Sequence, residues 1–179
     1  PRCLGHAAWV VAQANTLTAQ HGWTPFAALQ APYSVLQRDI ERELLPMAHE
    51  FGMSVAAWSP LAGGILSGKF TRQGGPGPGT RVSPGTLTER DLAVARSVDE
   101  IASEVGASAS QVAIAWTRAR SNAVHPIVGA RRLDQLLDNL AAVDCTLPPD
   151  ALRRLDGTSD FVAGFPTDFI NETSPWVFG

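Results

Sequence analysis

A short apolar run that stops at a proline constrains this chain more than any other feature. Met53-Ser54-Val55-Ala56-Ala57-Trp58 leads into Ser59-Pro60-Leu61-Ala62-Gly63-Gly64-Ile65-Leu66-Ser67-Gly68-Lys69. The run reads as a buried strand. Pro60 has no N–H to give a sheet, so the strand must end near it. The glycines beyond it let the backbone approach a bulky anionic ligand, with N–H groups facing phosphate oxygens, and Lys69 adds a cation. A strand followed by a nucleotide-binding loop is the expectation.

The rest of the chain alternates helical and strand character. Ala8 to Gln20 predicts a helix ending near Gly22, and Pro25 to Gln30 a short buried strand. From Arg38 to Phe51 the periodicity predicts one amphipathic helix with Ile40, Leu44, Leu45, Met47, Ala48 and Phe51 on a single face. Ser59 to Thr86 is a long loop containing the glycine–proline run 74–79, and loops of that length are usually functional or mobile. Thr88 and Asp91 form a capping-box pattern that starts a helix to Val105, with Leu92, Ala95, Val98, Ile101, Ala102 and Val105 inward. Ser108 or Ser110 caps a helix to Arg120, and Ala123 to Val128 is a third strand. A helix from Arg132 to Val143 follows, with Leu133, Leu136, Leu137 and Leu140 inward, and a short helix ends near Gly157. The aromatic tail from Thr158 (Phe161, Phe165, Phe169, Trp176, Phe178) reads as loop.

Short apolar strands joined by helices imply parallel β/α units. Three strands are evident, and Arg2–Gly5 is a fourth if it is the remnant of one. A complete (β/α)8 barrel needs about 250 residues, and this chain has 179. It is therefore either a small open sheet or part of a barrel, in one domain. Charged residues make up 17% of it, against about 25% in ordinary domains, which implies surface meant to be covered. A net charge of −3 argues against a nucleic-acid partner. No apolar run reaches the roughly 18 residues of a membrane span. Cys3 and Cys145 have no metal-ligand spacing, so no metal site is expected, and two thiols fit a reduced, cytoplasmic compartment.

Three constellations could bind a ligand. Gly63 to Lys69 nearly matches a P-loop, but Phe70 stands where a hydroxyl should hold magnesium. A tight turn with a solvated lysine and a loop for a dinucleotide pyrophosphate are the competing readings. Second, Ile127-Val128-Gly129-Ala130-Arg131-Arg132 ends a strand, turns at Gly129 and opens a helix whose N-terminus favours an anion. Arg131 suits a phosphate monoester. Gln135 and Asn139 lie one turn apart and reach the same side. The alternative is an ordinary basic cap with surface amides. Third, Gln30 and Trp58 end neighbouring strands, where an amide can meet a carboxamide and an indole can stack on a planar ring.

These residues carry a resemblance. Trp58 through Phe70 resembles the loop after the seventh strand of aldo-keto reductases, and Pro126 to Arg131 through Asn139-Leu140 is similar to their eighth strand and adenosine-phosphate helix. Ala28-Leu29-Gln30-Ala31-Pro32-Tyr33-Ser34 with Glu41 to Pro46 resembles their sixth strand and its helix, and Gly164 to Phe169 a C-terminal loop of bacterial members. The resemblance implies part of a (β/α)8 barrel, about strands six to eight, that binds NADPH and reduces a small carbonyl substrate. Carried over, Gln30 holds the nicotinamide carboxamide and Trp58 stacks on the ring. Ser59, Pro60, Leu61, Gly63, Ser67 and Lys69 wrap the pyrophosphate. Past the turn at Gly129, also counted with the cofactor-binding positions, Arg131 and Gln135 meet the 2′-phosphate, and Asp138 and Asn139 the adenine. Residues 160–179 border the substrate.

The family's catalytic Tyr, Lys, Asp and His come from strands this chain does not contain. Tyr33 and Lys69 match no catalytic position, nor do His6, His21, His49 and His125, so no catalytic residue is expected here. The chain reads as the C-terminal, cofactor-gripping part of such a reductase. A non-catalytic nucleotide-binding module and a truncated product without activity are the alternatives. A half barrel leaves open strand edges, so self-association or a complementing chain is also expected.

Overall fold

A computed structural model describes residues 2–71 and 80–177. The glycine–proline run 74–79 and Phe178 lie outside the described residues. Four parallel strands, β1 (Arg2–Leu4), β2 (Ala28–Pro32), β3 (Ser54–Trp58) and β4 (Val124–Ile127), pair in the order β1-β2-β3-β4. Strictly sequential order with crossovers of one hand places every helix on one face, whereas a doubly wound sheet reverses its order at a switch point. Burial agrees. Leu29, Ala31, Val55, Ala57 and Val124 are buried beneath helices. Their neighbours in register, Gln30, Ala56, Trp58, His125 and Ile127, lie on the opposite, more open face. This is an arc of a (β/α) barrel, and the Arg2–Leu4 segment is its first strand.

The helices are α1 (Ala8–His21), α2 (Leu44–Glu50), α3 (Glu89–Val105), α4 (Ala109–Ala119), α5 (Leu133–Ala141), α6 (Pro149–Thr158) and α7 (Thr167–Val177). The Thr88–Asp91 capping box forms and starts α3, and Ser108 with Gln111 forms a second box that starts α4. Val94, Val98 and Ile101 of α3, Val112 and Trp116 of α4 and Leu155 of α6 complete one core with the strands. None of the described helices is long and apolar enough to cross a membrane.

Four expectations need correction. The second strand begins at Ala28, not Pro25, because the Asn15 side chain takes both backbone groups of Phe26. The Phe26 N–H donates to Asn15 Oδ1 at 2.9 Å and Asn15 Nδ2 donates to the Phe26 carbonyl at 3.2 Å. The helix expected over Arg38–Phe51 breaks into a single 3-10 turn, Asp39–Glu41, and α2. Pro46 is tolerated in the first turn of α2 but clashes with any helix continuing from residue 42. At the other end α2 stops at Glu50, and Phe51 just beyond it is exposed. The tail is not all loop. Asp168 accepts from the Gly164 N–H at 2.8 Å, and α7 follows.

The fourth correction concerns α5. Leu133, Leu136, Leu137 and Leu140 face solvent, with Leu133 at 71% exposure and Leu140 at 51%, while Asn139 and Ala142 point inward. A helix in a parallel crossover covers the groove between its own strand and the next one. Among the described residues no strand follows β4 in the sheet, so the apolar stripe covers none.

Candidate functional site

The C-terminal ends of β3 and β4 open into one cleft of about 350 Å³. Ser59, Pro60, Leu61, Gly63, Ser67 and Lys69 come to it from the loop after β3, and Gly129, Arg131, Gln135, Asp138 and Asn139 from β4 and α5. Gln30 and Trp58 line a separate groove of about 610 Å³ instead, together with His6 and Pro32. The two hollows share no lining residue. The structure therefore brings the loop after β3 together with the start of α5, and does not bring Gln30 and Trp58 into that cleft.

The loop is shaped by backbone conformations that glycine allows. Gly63 and Gly64 have φ of +67° and +99°. A Cβ on Gly64 would lie 2.4 Å from Lys69 Nζ, so the lysine amine rests directly against the glycine backbone. Ser59 and Ala62, without that freedom, also sit at positive φ (59° and 48°), a local strain that clusters at ligand clamps. Hydrogen bonds hold the shape. The Gly63 N–H donates to Ser59 Oγ at 3.2 Å and Ser67 Oγ donates to the Gly64 carbonyl at 2.7 Å.

The cleft is cationic. Lys69, Arg81 and Arg131 line it. Partial burial, and then the field of Arg131, hold the Lys69 amine below the ordinary lysine range. An anion placed between them would relieve that repulsion. On the far wall, Asp138 accepts from Gln111 Nε2 at 2.8 Å and from Ser108 Oγ at 3.0 Å. Both partners belong to the capping box of α4, so Asp138 ties α5 to the start of α4. The Arg131 N–H donates to Gln135 Oε1 at 3.2 Å, which orders the turn into α5. Asn139 is 6% exposed and is among the residues lining the cleft.

Trp58 is 42% exposed, its ring on the open face above the groove. The described residues contain no acidic, histidine or cysteine group able to hold a metal ion. Tyr33 is fully buried, and its hydroxyl donates to Glu41 Oε1 at 2.7 Å. Burial, then the Glu41 contact, pushes its pKa far up.

Sequence reasoning missed several lining residues. Arg81 follows the glycine–proline run and nothing local marks it. Ser110 was legible only as an alternative cap, and its place in the cleft follows from α4 presenting its N-terminus there. His6 lies two residues beyond the end of β1 and lines the groove with Gln30 and Trp58. Gln30 does not end its strand as expected: β2 continues to Pro32, which pairs with Trp58, while Gln30 pairs with Ala56.

The profile of the aldo/keto reductase family matches residues 2–160. This chain belongs to the aldo/keto reductase family. It is 36% identical over 170 residues to a probable aryl-alcohol dehydrogenase of Saccharomyces cerevisiae, covering 92% of this chain and 52% of that protein. An aldo-keto reductase of Aspergillus calidoustus is 34% identical over 167 residues (91% of this chain, 42% of that one). An NADP(+) aryl-alcohol dehydrogenase of Phanerodontia chrysosporium is 35% identical over 166 residues (89% and 43%). The chain spans about half the length of these relatives or less.

Proposed function

We propose that this chain is the cofactor-holding part of an NADPH-dependent carbonyl reductase, with aromatic aldehydes or the corresponding alcohols as the substrate class. The observation that carries the reading is the cleft between the ends of β3 and β4. It brings the amine of Lys69, packed against the Gly64 backbone, within the field of Arg131. The substrate class rests on the aryl-alcohol dehydrogenase relatives.

The residues fit a phosphorylated dinucleotide. Lys69 would meet the pyrophosphate, Arg131 the 2′-phosphate, and Gln135 and Asn139 the adenosine end. Gln30 would orient the carboxamide, and Trp58 would cover one face of the ring so that only the other meets substrate. When bound, the nicotinamide supplies a hydride to a carbonyl carbon. The chain's own contribution is grip and orientation. Tyr33, buried against Glu41, is not the proton donor, so the chain by itself binds without turnover.

Calorimetric titration with NADPH tests this. Binding with a dissociation constant between about 1 μM and 1 mM, weakened by Lys69→Met, is expected. A folded chain that shows no heat of binding up to the top of that range refutes the reading.

A further inference from the structure

We infer that Lys69 is a covalent capture site for small aldehydes that carry a phosphate group, held as a Schiff base on its amine with the phosphate against Arg131 and Arg81.

The sequence holds a single lysine, Lys69. The loop after β3 carries it into the cleft, where Gly64 receives it. A Cβ on that glycine would lie 2.4 Å from Nζ and 2.9 Å from Cε, so the end of the side chain packs against the cleft wall. The Phe70 ring centroid lies 5.1 Å from Nζ. Among the described residues no carboxylate pairs with the amine, and the charge that acts on it is that of Arg131.

A lysine is a nucleophile only as the free amine. Partial burial and a neighbouring cation are the two means by which proteins keep it in that form. Both act on Lys69. Neither serves a lysine that only carries charge, so the position suits the amine for a second task.

The same cations choose the aldehyde. Arg131 and Arg81 line the cleft with Lys69, and a guanidinium presents its donors in a fork that matches phosphate. A phosphate held there keeps the rest of a small molecule within reach of Nζ. The volume of about 350 Å³ stands at the small end of ligand sites, which run from roughly 300 to 1,000 Å³. That favours a compound of one ring or a few carbons.

The step is a condensation with no oxidation or reduction. The Nζ lone pair adds to the carbonyl carbon, a C–N bond forms, and the carbonyl oxygen takes one amine proton. That oxygen then leaves as water with the second amine proton, and C=N remains. The adduct fills the place of the pyrophosphate, so on the cofactor reading, on which this consequence rests, it shuts the dinucleotide out.

The test is labelling of the folded chain with pyridoxal 5′-phosphate, without nucleotide. Borohydride then reduces the imine to a stable secondary amine, and intact mass and peptide mapping locate it. The expected result is one phosphopyridoxyl group per chain, on Lys69. Pyridoxal, which lacks the phosphate, should label about tenfold more slowly, and Arg131→Ala should slow pyridoxal 5′-phosphate by a similar factor. Inorganic phosphate should compete. Lys69→Arg keeps the cation and should abolish the label, with an unchanged thermal melt showing that the fold is intact. Label on the Pro1 amine alone, equal rates for the two aldehydes, or a label that persists in Lys69→Arg overturns the inference. NADPH should protect Lys69. Phosphate-selective labelling that NADPH does not slow supports the capture site and counts against the cofactor reading. Nucleotide binding without any label on Lys69 overturns the capture site and leaves the cofactor reading standing.

Discussion

Lys69 and Arg131 reach the same cleft from two different strand ends, close enough that the guanidinium adds to burial in holding the amine below the lysine range. Two cations so placed raise each other's energy until an anion lies between them. The consequences of that pairing can be measured.

The first is a pH dependence. Lys69 is a cation whose pKa is lowered, so it loses its charge earlier than the ordinary value of 10.5 as pH rises. NADPH affinity should therefore fall with rising pH before that value is reached. The bound phosphate should shift the fall upward, because it favours the charged amine. Lys69→Met should weaken binding about tenfold at neutral pH and flatten the profile. A wild-type profile already flat up to that value would contradict the placement.

Gly64→Ala is the steric counterpart. Its Cβ would meet Lys69 Nζ at 2.4 Å and Cε at 2.9 Å, at a φ of +99°. The lysine end can swing away, so the packing cost is small, while the backbone strain costs about 1–3 kcal/mol. Urea unfolding should show that loss, and NADPH titration should show weakening because Lys69 has been displaced. Gly85→Ala, with open space around its Cβ, should change neither.

Asn15→Ala should destabilise the chain by about 2 kcal/mol while leaving the cleft's affinity intact in the folded fraction. The substitution strips both backbone partners from Phe26. Equilibrium urea denaturation reads the loss, and an unchanged midpoint would show that the clamp is dispensable.

Tyr33→Phe separates structure from chemistry. The hydroxyl donates only to Glu41, which Arg38 also grips through Nε and Nη2 at 2.8 Å. Removing it should cost about 1 kcal/mol of stability and should not change NADPH affinity. A loss of binding with stability intact would mean that Tyr33 takes part in the site.

The sequence was most legible where one residue enforces one local outcome. Pro60 ends β3, Thr88 and Asp91 start α3, and the glycines after Pro60 shape the loop. The strands holding Leu29, Val55 and Val124 were also readable as short apolar runs, but which of their residues face the helices was not. What was not legible depends on distant partners. The Asn15 clamp on Phe26 joins positions far apart in the chain, and no local pattern shows that it delays β2. The leucines of α5 have a sound helical period, yet period alone says only that they share a face. What that face meets depends on a strand beyond β4. Pro46 was visible but outweighed by the apolar repeat around it. For the cleft, the two loops that build it each carried a signal. Arg81, arriving from beyond the glycine–proline run, carried none.

The most direct test is a fluorescence titration of NADPH against NADH on the wild-type chain and on Arg131→Ala. The account predicts that the wild type prefers NADPH by about tenfold or more, the scale of a charge-assisted phosphate contact. It also predicts that Arg131→Ala removes the preference by weakening NADPH alone. Equal affinity for both nucleotides in the wild type, or a preference that survives the substitution, would contradict it.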